Sequence, residues 1–167
     1  PLLALFLVFL LVVFCRPAGS YDLGLHLRLG EEIGEEIARA GSVPRTDAHS
    51  YTAEAAPFLA HEWLCQLLFW AVHRAGGMAG ISLLAAAAAT LAFLSLLPAL
   101  GRETEGRLGV LLLLCITPLA TAHFGARPHV LGWTMLTLVL TGCARGWCWP
   151  LPLLLALWAN LHGSFLL

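Results

Sequence analysis

What most limits this chain is the recurrence of apolar runs approaching the ~20 residues needed to cross a bilayer. They fall at Pro1–Cys15, Phe58–His73, Met78–Leu100, Leu108–His123, Val130–Ala144 and Trp149–Leu167. Charged residues make up 11 % of the sequence, whereas a soluble domain carries about a quarter. Mean hydropathy is +0.83. The reading is an all-α, polytopic transmembrane helix bundle in a cell membrane, with lipid as a constant partner. Alanines at Ala85–Ala89 suit close helix packing in lipid. Pro98, Pro118 and Pro152 lie in or beside apolar stretches, where membrane helices tolerate proline. Basic residues are scattered rather than clustered, so nucleic acid is not an expected partner.

The chain opens and closes inside apolar runs, which reads as a piece cut at both ends. A transmembrane helix missing its start is the expected identity of residues 1–15. A signal peptide is the rival, since small residues follow at Ala18, Gly19 and Ser20. The five cysteines show no framework: most sit in or beside apolar runs, and Cys143 and Cys148 lack a second pair for metal spacing. No disulfide is expected.

One connection breaks the pattern. Residues 16–62 hold Asp22, Glu31, Glu32, Glu35, Glu36, Asp47, Glu54 and Glu62, out of ten acidic residues in all. This divides the chain into a first helix (1–15), an outer loop (16–60) and further membrane helices (61–167). If Phe58–His73 does not span, Arg102, Arg107 and Arg145 share the cytoplasmic side, while the loop and Arg127 face outward. If it does span, Arg74 and Arg127 lie inside instead. The first arrangement fits the positive-inside bias better, making the loop extracytoplasmic.

Inside the loop, residues 22–40 read as an amphipathic helix. Leu29, Ile33 and Ile37 recur at helical spacing, Gly30, Gly34 and Ala38 form a stripe of small residues, and four glutamates fill the opposite face. Leu23, Leu25, Leu27 and Leu29 alternate, which alone would suggest a strand. Gly41 supplies a helix stop. Asp22 is placed either to cap the first turn or to present a carboxylate at the membrane surface. His26 follows one turn later on the same face, so the two can share a ligand. His61 and Glu62 open the next apolar run, a costly place for such a pair unless it has partners or a function. Trp63 suits an interfacial anchor. Cys65 stands where a zinc protease would need its second histidine, which excludes that class.

The order Tyr21-Asp22-Leu23-Gly24-Leu25-His26-Leu27-Arg28, then Gly41-Ser42-Val43-Pro44 with Asp47, Ser50 and Tyr51, then His61-Glu62-Trp63-Leu64, resembles the first outer loop of the GT-C type membrane glycosyltransferases. In particular it is similar to the N-terminal part of the oligosaccharyltransferase catalytic subunit. The likeness covers roughly residues 1–145, with its specific residues in 21–64. The closing segment from Trp158 to Phe165 resembles a motif of bacterial proteins in the same broad group.

The resemblance implies transfer of a sugar from a polyprenyl-phosphate-linked donor. It implies that Asp22 binds a divalent cation (Mg or Mn) and orients the acceptor, with Glu62 and Asp47 as supporting acids. His26, Arg28, His61, Arg127 and His129 are the expected substrate-binding residues, Arg127 and His129 toward donor phosphate. The family's second outer loop carries an acidic pair, yet here that stretch is His123-Phe124-Gly125-Ala126-Arg127-Pro128-His129. Arg127 can equally be a helix-flanking anchor. Asn160 and His162 are further polar residues in the last apolar run, open to a helix–helix bond or a function. The rival to an enzyme is a non-catalytic scaffold or lipid-carrier transporter that keeps the loop shape. An envelope-polymer ligase or polymerase is a third reading, because it uses the same donors.

Overall fold

The computed structural model describes residue 8 and residues 19–53, 56–100 and 125–166, with side chains to 96 in the second long stretch. Apart from residue 8, the apolar runs 1–15 and 108–123, including His123, lie outside the described residues, as does Glu54. What is described is mostly helical and contains no strands, so the chain is all-α as expected. The helices are α1 (Leu23–Ala40), α2 (Trp63–Leu100), α3 (Pro128–Arg145) and α4 (Pro150–Leu161), followed by a short 3-10 turn, Gly163–Leu166.

Helix α1 forms where the charge pattern placed it. Its buried positions, Leu23, His26, Leu29, Gly30 and Ile33, follow a helical period, and Leu25 is exposed, so the leucine alternation does not make a strand. Arg28 pairs with Glu31 and Glu32, and Arg39 with Glu36, across the outward face. Gly41 ends the helix in the left-handed region, φ 68°, and its amide donates to the Ile37 carbonyl. Beyond it, residues 45–47 pair with 56–58 through Asp47 N–H to Ala56 O and Phe58 N–H to Arg45 O, closing the loop on itself.

The small-residue stripe has a defined partner. A Cβ on Gly30 would stand 2.1 Å from the Gln66 carbonyl oxygen, and one on Gly34 would stand 3.0 Å from the Trp70 ring. Helix α1 therefore lies with its backbone against the first part of α2. Glycine is needed here for close approach, not for turning.

Helix α2 begins at Trp63, later than the apolar run at Phe58, and continues through the gap between two expected segments. It is interrupted at Gly77, where φ 58° and ψ −152° are not helical. A Cβ on Gly80 would lie 3.0 Å from the Val72 carbonyl oxygen. Residues eight apart in a straight helix are separated by about 12 Å along the axis, so the chain turns sharply at Gly77. Residues 63–76 (α2a) and 78–100 (α2b) are thus two rods. By length and composition α2 is apolar enough to cross a membrane over Trp63–Leu96. Helix α3 matches a span in length, at 18 residues, without the same apolar character.

Two threonines define how α2b meets α3. The Thr134 hydroxyl donates to the Ala88 carbonyl at 2.9 Å and Thr141 to the Ser95 carbonyl at 2.6 Å. Both helices advance in the same direction between these bonds, so they pack in parallel. Helix α3 ends at Gly146, φ 70°, with Gly146 N–H to Cys143 O and Trp147 N–H to Gly142 O, and the chain reverses. Helix α4 then runs back along α3, so that His162 and Ser164 lie against Gly132 while Leu151 lies against Gly142. The last apolar run is not one continuous helix: α4 is 12 residues long and stops at His162, whose backbone is extended. The core at these contacts is Cys65, Phe69, Ile81, Ala86, Ala89, Val130 and Trp158.

Candidate functional site

This topology brings the starts of α1, α2 and α3 and the end of α4 to the same end of the bundle, and polar residues collect there. Ser20 and Asp22 lie at the head of α1. Asp22 occupies the N-cap position, but its carboxylate makes no capping bond. The capping role is not what the side chain does. It accepts instead from the Ser20 hydroxyl and stands 3.4 Å from Arg127 Nε. Arg127, the residue before α3, also donates from Nε to Ser20 Oγ at 2.8 Å. A guanidinium and a carboxylate from distant parts of the sequence thus share one hydroxyl. Burial by itself raises the Asp22 pKa, but the Ser20 hydrogen bond, its own backbone amide and Arg127 outweigh it and hold the group below its ordinary value.

His26 sits one turn along α1, with Nε2 at 3.9 Å from Asp22 Oδ2. It is 9 % exposed and meets Phe69 edge-on at 6.3 Å between centroids. Nδ1 is buried and has no hydrogen-bond partner among the described residues. Burial pushes the His26 pKa down, against the opposing pull of Asp22 and Glu62. Arg127 and His61 add to the downward push, so all four side chains lie within electrostatic reach of this imidazole.

The second carboxylate, Glu62, opens α2. His162 Nε2 approaches Glu62 Oε1 at 3.4 Å and His61 Nε2 approaches the same oxygen at 3.8 Å. The other nitrogen of His162 is already occupied: Ser164 N–H donates to Nδ1 at 3.1 Å and Ser164 Oγ lies 2.7 Å away. Trp158 Nε1 in turn donates to Ser164 Oγ at 3.1 Å. An Nδ1 that accepts leaves the proton of the neutral ring on Nε2, facing Glu62. Beside this pair, Trp63 Nε1 donates to Asn160 Oδ1 at 2.6 Å and ties α2 to α4. His129, on the first turn of α3, stacks edge-on with Trp133 at 5.0 Å and lies within electrostatic reach of His162.

Asp22, His26, His61, Glu62, Arg127 and His129 are therefore gathered at this end. Asp47 and Arg28 are elsewhere. The Asp47 carboxylate accepts from the amides of His49 and Ser50, a turn-forming arrangement, and the residue lines a groove with Glu32 and His49 on the flank of α1. Arg28 is spent on the α1 glutamates. Sequence reasoning missed Ser20 and Ser164 as members. Both are small polar residues beside more conspicuous neighbours, and only the contacts reveal them.

Chemically the cluster offers a guanidinium and imidazoles for an anionic group, and two carboxylates of distinct environment for hydrogen-bonding or proton transfer. Among the described residues no three of the His, Cys, Asp and Glu side chains stand close enough together to hold a metal ion. Asp22 itself has a guanidinium beside Oδ1. These residues do not compose a cation site on their own, and no chemical step runs through one.

Comparison of the chain with protein-family models, with curated proteins and with solved structures finds no match.

Proposed function

We propose that this chain works as a multi-pass membrane glycosyltransferase of the GT-C kind, moving a sugar from a polyprenyl-phosphate-linked donor to an acceptor at the outer face of a cell membrane. The observation that carries the reading is the convergence of Asp22, Arg127, Glu62 and His26 at one end of an apolar helix bundle. Intramembrane and membrane-edge ionisable residues are expensive, and a set drawn from three helices at one level is the pattern of a site. In this reading Arg127 and His129 receive donor phosphate, and Asp22 and Glu62 face the acceptor. A Mg or Mn ion at Asp22 belongs to the proposal only with further donors from outside the described residues.

The multi-pass topology rests on the parallel register of α2b and α3. Both run from the polar end to the far end, so residues 101–127 join the far end of one to the near end of the other. Arg145 closes α3 at that far end, and Arg102 and Arg107 follow Leu100 in sequence. The positive-inside bias then makes the far end cytoplasmic and the α1 face extracytoplasmic. Helix α2a, packed along α1 before the turn at Gly77, would lie with it at the outer surface.

The test is transfer of labelled sugar from a polyprenyl-phosphate carrier by the reconstituted protein. Asp22→Ala is expected to cut transfer by at least about tenfold, the scale of removing one charge-assisted hydrogen bond from a transition state. Unchanged transfer overturns the mechanism.

A second reading is favoured by one specific feature: the Asp22 carboxylate is already satisfied by Ser20 and Arg127. A scaffold or lipid-carrier transporter needs only that. It would move or bind the carrier lipid without cleaving it, and chelators would have no effect.

A further inference from the structure

We infer that His162 is the positioning residue for Glu62 on the acceptor side of the site; the inference rests on the glycosyl-transfer reading above. The imidazole is fixed first by its place in the chain. His162 caps α4 in extended backbone, just past the last helical turn. Its Nδ1 is held by the Ser164 amide at 3.1 Å and the Ser164 hydroxyl at 2.7 Å. That hydroxyl is itself fixed by Trp158 Nε1, and Trp158 is 4 % exposed in the core. The ring is therefore anchored from behind by a chain that begins in buried structure, and its Nε2–H has one direction left, toward Glu62 Oε1 at 3.4 Å.

Glu62 is the better hidden of the two charged partners on that contact, with its side chain 15 % exposed against 66 % for His61, which approaches the same oxygen. His61 is exposed, whereas His162 is tied through Nδ1. Close by, Asn160 accepts from Trp63, the residue next to Glu62, and keeps the α2 and α4 ends together. From α4, one side-chain hydrogen bond thus holds the neighbouring Trp63, and the His162 imidazole stands 3.4 Å from one Glu62 carboxylate oxygen.

A carboxylate so placed serves as hydrogen-bond acceptor and base for an acceptor hydroxyl. In that step the acceptor oxygen forms a bond to the sugar C1, and the bond from C1 to the donor phosphate oxygen breaks. The lipid phosphate leaves with the bonding pair, and the acceptor proton passes to Glu62. His162 touches neither sugar nor acceptor. Its part is to orient the carboxylate.

The experiment has one arm with activity and one without. In transfer assays, His162→Leu is expected to lower kcat by about tenfold, for the loss of the polar contact that orients the Glu62 carboxylate. KM for the donor should hold, because His162 touches neither donor nor acceptor. His162→Gln, which can still donate, should recover most of the rate. Equal losses in both variants, or a loss carried in KM, would show a structural role alone and overturn the inference. The second arm follows acylation of His162 by diethyl pyrocarbonate against pH in the folded protein. Glu62→Gln should make His162 react at lower pH than in the wild type. An unshifted profile means the pair does not exist, which also overturns the inference. If the wild type transfers no sugar while the acylation profile does shift, the glycosyltransferase reading fails and the positioning role falls with it, leaving a structural link.

Discussion

Arg127 and Asp22 meet at 3.4 Å across the heads of two helices, with the Ser20 hydroxyl between them. Both side chains are about two-fifths exposed, so solvent screens the pair and its contribution is about 0.5–1 kcal/mol, not the larger value of a buried bridge. Because the folded pKa of Asp22 lies below its unfolded value, the stabilisation is present above the unfolded carboxylate pKa and is lost as pH falls through the folded one. Asp22→Asn should therefore destabilise at pH 7 and converge with the wild type in strong acid. Denaturation of the reconstituted protein at several pH values measures this, and a pH-independent difference would remove the ion pair from the account.

His26 predicts an acid sensitivity at higher pH. Burial lowers its folded pKa below the value in the unfolded chain, so the unfolded state binds the proton first. Stability is then complete above the unfolded imidazole pKa and falls as pH drops toward the folded one. Between pH 7 and 5 the wild type should lose stability that His26→Gln does not lose. Nuclear magnetic resonance of the imidazole should find His26 titrating below the ordinary imidazole value. A His26 titrating at or above the ordinary imidazole value would contradict the burial.

Two glycines on α1 should respond oppositely to the same change. Gly30→Ala drives a methyl to 2.1 Å from the Gln66 carbonyl oxygen, and prising α1 from α2a should cost about 1–3 kcal/mol. Gly24→Ala meets nothing within 4 Å and should stabilise by up to about 1 kcal/mol through helix propensity. Thermal unfolding of the two variants checks the sign. If Gly30→Ala is also stabilising, the close helix approach is not present.

How far the sequence foretold this site depends on the range of the interaction. The run from Leu23 to Gly41 was legible because a helix period, a glutamate face and a stop glycine are all local. The stripe of Gly30 and Gly34 announced close packing, but not its partner at Gln66 and Trp70. The break between the runs Phe58–His73 and Met78–Leu100 was legible and coincides with the turn at Gly77, but not how sharply the chain bends there. Asp22 and Glu62 were conspicuous as charges beside apolar runs, whereas their partners were not. Arg127 read equally as an anchor, and His162 stood alone in an apolar stretch with Glu62 far away in sequence. Pairings of that kind are set by the parallel register of α2b and α3, which no local pattern encodes.

That register yields the last prediction. Parallel packing through Thr134 with Ala88 and Thr141 with Ser95 puts the α3–α4 turn at the opposite end from the α1 loop. Cys148 lies exposed in that turn, and Ser50 lies in the loop beyond α1. In sealed, oriented vesicles a membrane-impermeant maleimide should label Ser50→Cys from the outer face and native Cys148 only after the membrane is opened. Cys65 is buried and should stay silent in both conditions. Each Thr→Val change at positions 134 and 141 should cost about 0.6 kcal/mol, the usual scale of an interhelical hydroxyl bond in lipid. The fold should survive either one, so the labelling can be repeated in the double variant. Labelling of both cysteines from one face would refute the parallel arrangement. It would also undo the reason for assigning the Asp22 and Glu62 cluster to the outer surface, because the sidedness of the site follows from the direction in which α2b and α3 leave it.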